Sequence, residues 1–290
     1  MTASRTCSII SAVPVPFTPA GDLDTDTFAA TLRAIDAHVD GALIAGTTGE
    51  FPALDDAERL ELFRVGVDVL GADRVIAHLG HGSTRQVLRL AEGTAALGIS
   101  RFALLSPYYL PTDDDGVVEF FDALCRAHPA ASVYAYLFPE RTGMDVSAEV
   151  LGRVMALPGM VGVKLSGGAS EQIAEYAAVL RDGQELYSGN DATLPGVLDA
   201  GGTGVVSGVS SAFPETFSRL ARALRSGDEQ EIAAAQADAA GVVALAGPSV
   251  TRLKAALAAR SGASWSSRMA LPTVDTATQA EIRTAVAQHG

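Results

Sequence analysis

Met160-Val161-Gly162-Val163-Lys164-Leu165 is a short apolar run with a single lysine in it. Its length suits a strand, and apolar side chains on both alternating faces mark a parallel strand covered on both sides. Seven runs of the same kind flank it, at residues 8–17, 41–47, 74–80, 101–107, 132–138, 184–190 and 204–210. Amphipathic segments separate them. Within residues 24–39, Phe28, Leu32, Ile35 and Val39 recur at spacings of three and four, the period of a helix face. Residues 54–70 follow Pro52 and open with Asp55, Asp56 and Glu58, acids that suit a helix N-terminus. Residues 83–97 and 147–157 each begin with a serine able to cap free amides. Gly71, Gly98 and Gly183 stand where helices are expected to stop. Strands alternating with helices predict parallel β/α units, and eight is the number that closes a (β/α)8 TIM barrel. An open doubly wound sheet would carry a glycine-rich turn after its first strand, where residues 14–19 supply prolines instead.

After the eighth run, residues 213–224, 228–246, 249–262 and 276–288 read as further helices. The expected organisation is a catalytic barrel over residues 1–224 with a C-terminal helical appendage over residues 225–290. The formal net charge of −13 repels nucleic acid and anionic membrane surfaces, so neither is an expected partner. No apolar run reaches the roughly 18 residues of a membrane span. Residues 1–5 lack a basic segment and a cleavage site, so no signal peptide is expected. Cys7 and Cys125, far apart in sequence, do not make a disulfide framework, which points to a reducing, cytoplasmic setting.

In a barrel of this kind the chemistry sits at the C-terminal ends of the strands. Polar residues gather there: Gly46-Thr47-Thr48-Gly49-Glu50, Pro107-Tyr108-Tyr109, Tyr136 running on to Pro139-Glu140-Arg141-Thr142-Gly143, Lys164, and Ser188-Gly189-Asn190-Asp191. An ammonium buried in an apolar strand loses hydration, so the Lys164 pKa is expected to fall from about 10.4 toward neutrality. A neutral amine attacks a keto carbonyl and forms an imine. Only two lysines exist, Lys164 and Lys254, which favours a working role for the one in the strand. Tyr136 alternates in phase with Tyr134 and can present a phenol to that imine. The Gly-Thr-Thr-Gly loop offers amides and hydroxyls to a carboxylate, and Arg141 can grip a second one. Each residue also has a plain structural reading: a snorkelling lysine, a core tyrosine, a tight turn, a surface arginine. His78 and His81 lack further ligands at metal-like spacing, so no metal is expected. No nucleophile elbow and no phosphate loop occur, and Gly202-Thr203-Gly204 precedes a strand where a dinucleotide fingerprint would open a helix.

These motifs, in this order, resemble the dihydrodipicolinate synthase / N-acetylneuraminate lyase family of class I aldolases over nearly the full length. The resemblance implies a carbon–carbon lyase that needs no cofactor and holds pyruvate, or a related 2-keto acid, as a Schiff base on Lys164. It implies Tyr136 as acid/base, Thr47 as proton relay, and Tyr109 as a residue lent across a subunit interface. Thr48, Gly49, Arg141, Gly189 and Val206 would contact substrate, and the protein would be a homo-oligomer, dimer or tetramer. Arg141-Thr142-Gly143 resembles the synthase branch, in which the arginine binds aspartate semialdehyde. Tyr134-Ala135-Tyr136 and Tyr187-Ser188-Gly189 resemble the 2-keto-3-deoxygluconate aldolase branch. Two positions depart from the family pattern, Leu137 standing for Asn and Leu165 for an acid. Three activities therefore stay open: dihydrodipicolinate synthesis, aldol cleavage or dehydration of a sugar-derived keto acid, and keto-acid sensing with little turnover.

Overall fold

The computed structural model describes residues 7–289; residues 1–5, read above as carrying no signal peptide, lie outside the described residues. Every predicted run contributes a strand: β1 (Ser8–Ala12), β2 (Gly41–Ile44), β3 (Val75–His78), β4 (Arg101–Leu105), β5 (Ser132–Leu137), β6 (Met160–Leu165), β7 (Glu185–Ser188) and β8 (Gly204–Ser207). They pair in chain order, all parallel, and β8 closes on β1 with Ser8 opposite Gly204 and Ile10 opposite Val206. The strands stop short of the predicted runs because the chain turns out of the sheet at their C-terminal ends. β2, for example, ends at Ile44, and Ala45 takes a left-handed φ of 54°.

Helices α1 (Thr25–Ile35), α2 (Asp56–Leu70), α3 (Thr84–Ala96), α4 (Asp114–Ala127), α5 (Pro139–Thr142), α6 (Ala148–Met155), α7 (Ile173–Ala177), α8 (Leu194–Asp199) and α9 (Pro214–Ser226) connect and cover the strands. α10 (Glu229–Ala246), α11 (Val250–Ser261) and α12 (Thr276–His289) follow, with α10 packed on α9 and α11 on α12. Four helices, α4, α5, α7 and α8, go beyond the sequence expectation. α4 is capped by Asp113, which accepts from the Gly116 amide at 2.9 Å, and buries Val117, Phe120, Phe121 and Leu124. α7 and α8 are too short for a period to show. Ser147 caps α6 through the Val150 amide at 3.2 Å, whereas Ser83 makes no cap bond. α7 ends at Ala177, so Gly183, at φ 86°, serves the turn into β7 and does not stop a helix.

Alternation divides the core. Ile10, Ala12, Leu43, Ile76, Ala103, Tyr134, Tyr187 and Val206 fill the barrel interior, and the opposite faces pack outward against the helices. No single helix among the described residues is long and apolar enough to cross a membrane.

Candidate active site

Pairing between β5 and β6 shifts register once, passing from Val133↔Met160 to Tyr134↔Gly162. The extra residue on β6 brings Tyr136 opposite Lys164; an unshifted pairing would have set Val163 there. Both side chains lie on the inward-facing phase, above the Tyr134 layer. Lys164 is only 8% exposed, and its Nζ sits 3.9 Å from the centroid of the Tyr136 ring. The Tyr136 hydroxyl lies 3.2 Å from Thr47 Oγ1. Three of the predicted residues, from the ends of β2, β5 and β6, thus meet at one point. The other lysine is occupied: Lys254 on α11 is buried in an ion pair with Glu50 and also donates to the Ser266 carbonyl at 2.7 Å. Burial pulls the Lys254 pKa down, and the hydrogen bond and charge of Glu50 oppose it.

The Gly46–Gly49 turn is held tightly. Gly49 N donates to Gly46 O at 3.0 Å and Glu50 N to Thr47 O at 3.1 Å, so Gly49 closes the loop and the side chains of Thr47 and Thr48 remain at its surface. Glu50, left-handed at φ 56°, is anchored by the C-terminal segment: its carboxylate accepts from the amides of Arg268 and Met269 at 3.0 and 2.8 Å as well as from Lys254. Such a backbone conformation costs roughly 1–2 kcal/mol for a residue with a Cβ, and the buried partners offset it. Across the mouth, Gly189 follows β7 with its amide 2.7 Å from Leu165 O. A Cβ on Gly189 would lie 2.5 Å from Ser166 Oγ and 3.1 Å from Leu165 O, so a side chain there would force Ser166 to turn and crowd the strand end. Val206 lines the interior beneath.

Two predicted residues lie apart from this cluster. Arg141, on the single turn of α5, is exposed and stacks over the Phe138 ring at 5.4 Å. Tyr109 is 90% exposed with a left-handed φ of 77°, and among the described residues it makes no hydrogen bond or ring contact with Lys164, Tyr136 or Thr47, so it stands at the surface. Tyr108 is half-buried and meets Phe51 edge-on at 6.0 Å. Burial raises its phenol pKa. His81 pairs with Asp56 at 2.9 Å, and His78 turns inward beside Tyr136.

Sequence reasoning gave Asp191 no role, although it ends a motif that the reading singled out. Its carboxylate is buried and accepts from the Ser207 hydroxyl at 2.5 Å. Burial pushes its pKa up to about 6, against the opposing effects of the Ser207 bond, the backbone amides and Lys164. A carboxyl whose native pKa exceeds its unfolded value near 3.9 binds its proton more tightly in the fold. Its contribution to stability is therefore lost as pH rises from about 4 through about 6. Asp191→Asn keeps an acceptor for Ser207 without the charge. Relative to the parent, it is expected to gain roughly 1–3 kcal/mol at pH 7 over its effect at pH 4, read from urea midpoints at both pH values. An equal effect at the two pH values would refute the titration.

Leu137 and Leu165 are register partners. Both are buried on the outward phase, in the layer between barrel and helices. The two departures from the family pattern are thus one paired change behind the sheet, and neither lines the mouth.

Residues 5–289 match the dihydrodipicolinate synthetase family. Over 224 residues the chain is 33% identical to the 4-hydroxy-tetrahydrodipicolinate synthase of Methylococcus capsulatus, covering 76% of each protein. The dihydrodipicolinate synthase of Cyanidioschyzon merolae, solved with lysine bound, superposes at a TM-score of 0.89 with 27% identity and 98% of each chain covered. An Escherichia coli K12 prophage protein of the same family, solved with pyruvate, gives a TM-score of 0.89 at 23% identity, covering 97% of this chain and 98% of that one. With the fold, the order of the strand-end motifs and the full-length match in agreement, the chain belongs to the dihydrodipicolinate synthetase family and is a lyase.

Proposed function

We propose that this enzyme binds pyruvate as an imine on Lys164 and condenses it with aspartate semialdehyde, the reaction of its 4-hydroxy-tetrahydrodipicolinate synthase relatives. The observation that carries the reading is a buried lysine held over a tyrosine whose hydroxyl reaches a threonine. The Lys164 amine adds to the keto carbon of pyruvate, and the carbinolamine oxygen leaves as water. Tyr136, with Thr47 beside it, delivers the proton that this departure needs. Loss of a methyl proton from the imine gives the enamine. Its carbon forms the new bond to the aldehyde carbon, whose oxygen takes up a proton, and attack on the imine carbon by water or by the product's own amine frees Lys164. Thr48, Gly189 and Val206 border the pyruvyl end, and the Gly49 amide closes the loop that carries Thr48.

Tyr109 fits a role outside its own chain. An exposed tyrosine held left-handed beside the exposed Leu110 is a costly arrangement for an isolated surface. It suits a homo-oligomer, at least a dimer, in which the phenol completes a neighbour's proton path. Buried free thiols at Cys7 and Cys125, both with pKa raised to about 11 by burial, suit a cytoplasmic setting.

The test is borohydride reduction with pyruvate, mapping of the modified peptide, and then turnover with a panel of aldehydes. A pyruvyl adduct on the Lys164 peptide and turnover with aspartate semialdehyde are expected. An adduct with turnover only of sugar-derived keto acids would shift the enzyme to the aldolase branch. Arg141→Ala is expected to raise KM for aspartate semialdehyde by roughly 10–100-fold, the range for losing a charged hydrogen bond, with KM for pyruvate little changed. Equal effects on both substrates would make the arginine structural, in keeping with its stacking on Phe138.

A further inference from the structure

His78 ends β3 and is fully buried. Its Nδ1 lies 3.0 Å from the carbonyl oxygen of Ala45. A carbonyl only accepts, so Nδ1 carries the proton. Burial, aided by the charges of Arg59 and Lys164, keeps the His78 pKa well below its usual range, so the ring is neutral and Nε2 is a bare acceptor. Among the described residues Nε2 has no partner. An unpaired buried acceptor costs roughly 1–3 kcal/mol, so this histidine is not an economical filler of the barrel mouth.

The ring is fixed on every side. Phe51 meets it edge-on with centroids 4.6 Å apart, and Tyr136 at 5.9 Å. A Cβ on Gly80 would lie 2.6 Å from its Cε1, so glycine at that position makes the room it occupies. The buried guanidinium of Arg59 holds the His78 carbonyl and donates to Gly80 O at 3.1 Å. What this fixed ring grips is the strained residue at the end of β2. Ala45 sits at φ 54°, where an L-residue is disfavoured by roughly 1–2 kcal/mol. The following loop folds back on it, since a Cβ on Gly49 would lie 3.2 Å from Ala45 Cα. Two residues beyond Ala45, Thr47 reaches the Tyr136 hydroxyl.

We propose that His78 is a positioning residue for the proton path: its Nδ1–H holds the Ala45 carbonyl, and with it the left-handed turn that presents Thr47 to Tyr136. The proposal rests on the assignment of Thr47 and Tyr136 made above. If the bond is lost, Ala45 is free to relax and Thr47 moves, and a displacement of about 1 Å at a reacting group costs on the order of 10²-fold in rate.

The test compares three replacements in the full-length enzyme. Asn offers an amide N–H near the Nδ1 position, Gln carries it too far out, and Leu fills the volume with no donor. His78→Leu and His78→Gln are expected to lower kcat about 10–100-fold, with KM for pyruvate and borohydride trapping on Lys164 nearly unchanged. His78→Asn is expected to recover most of kcat. Ala45→Gly, which adopts the left-handed turn without penalty, is expected to restore part of the rate in the His78→Leu background. A Leu variant that does not fold leaves the Gln-against-Asn comparison in force. Nitrogen NMR of the unmodified enzyme is expected to find the proton on Nδ1. A proton on Nε2 overturns the proposal, as do equal rates for Asn and Gln, a full rate for Leu, or no rescue by Ala45→Gly. If the parent enzyme forms no pyruvate adduct, the functional reading fails. An intact adduct with a rate indifferent to His78 defeats only this proposal.

Discussion

Lys164→Ala is expected to yield a folded barrel that traps no pyruvate under borohydride and shows no turnover above the uncatalysed rate. The reasoning is one of substitution chemistry. An imine requires a primary amine at the keto carbon, and the described chain offers only two lysine side chains. Lys254 cannot stand in. It is locked between Glu50 and the Ser266 carbonyl, and both partners hold its nitrogen. Removing Lys164 also takes a polar side chain out of a buried strand, so the fold loses a contact with the Tyr136 ring and is spared the burial of a polar nitrogen. These effects oppose each other, and thermal melting of the variant is expected to stay close to that of the parent. Lys164→Arg makes the stricter control, since it keeps a cation at the site but has no amine to deprotonate. An adduct that persists in either variant would move the nucleophile elsewhere and break the mechanism.

The barrel was legible because each β/α unit declares itself locally, by a short two-faced apolar run followed by an amphipathic segment. Lys164 was legible for the same reason: one charge inside such a run is an anomaly that burial makes expensive. The features that escaped are those created by pairing and by backbone angle. Leu137 and Leu165 read along the chain as two separate losses of polarity. The register of β5 on β6 makes them neighbours on the outward face, where two apolar side chains pack without partners while a lone polar one would have to find a hydrogen bond. Asp191 could be seen at the end of its motif, but its burial against Ser207 depends on β7 lying next to β8. Nothing in Ala45 announces a left-handed residue, because the amino acid that ordinarily signals one is glycine.

The same limits explain how the C-terminal part of the chain reaches the Gly46–Gly49 turn. Glu50 reads as the last letter of a loop motif, and Lys254 as a stray lysine some two hundred residues on. In the fold they form a buried pair, and the segment carrying Arg268 and Met269 adds two amides to the same carboxylate. The Gly46–Gly49 turn is therefore strained at both ends and gripped at both ends, by His78 at Ala45 and by α11 and the segment after it at Glu50. A loop that must hold one hydroxyl within 3.2 Å of another gains from such a frame, since precise geometry at a reacting centre depends on the residues that lock it.

Tyr136→Phe tests what that geometry is for. The variant loses one oxygen and keeps the ring, so the contact with Lys164, the edge of His78 and the tilted packing on Phe138 all persist. The hydroxyl's one hydrogen bond among the described residues, to Thr47, is worth about 1 kcal/mol to folding, too little to unfold the barrel. The chemical cost is larger. Water leaves the carbinolamine only if its oxygen is protonated, and the enamine acts on the aldehyde only if the new alkoxide is neutralised; in the proposed mechanism Tyr136, packed against the lysine, supplies both protons. Loss of a positioned acid/base lowers rates by roughly 10²–10⁴-fold. Turnover is expected to fall by that factor while KM for pyruvate changes little, because the proposed mechanism gives the pyruvyl carboxylate to the Thr48 loop. Single-turnover trapping separates the steps: the adduct on Lys164 should reach its full yield but form more slowly than in the parent. An adduct forming at the parent rate would leave Tyr136 only the carbon–carbon step, and an unchanged steady-state rate would remove it from the proton path altogether.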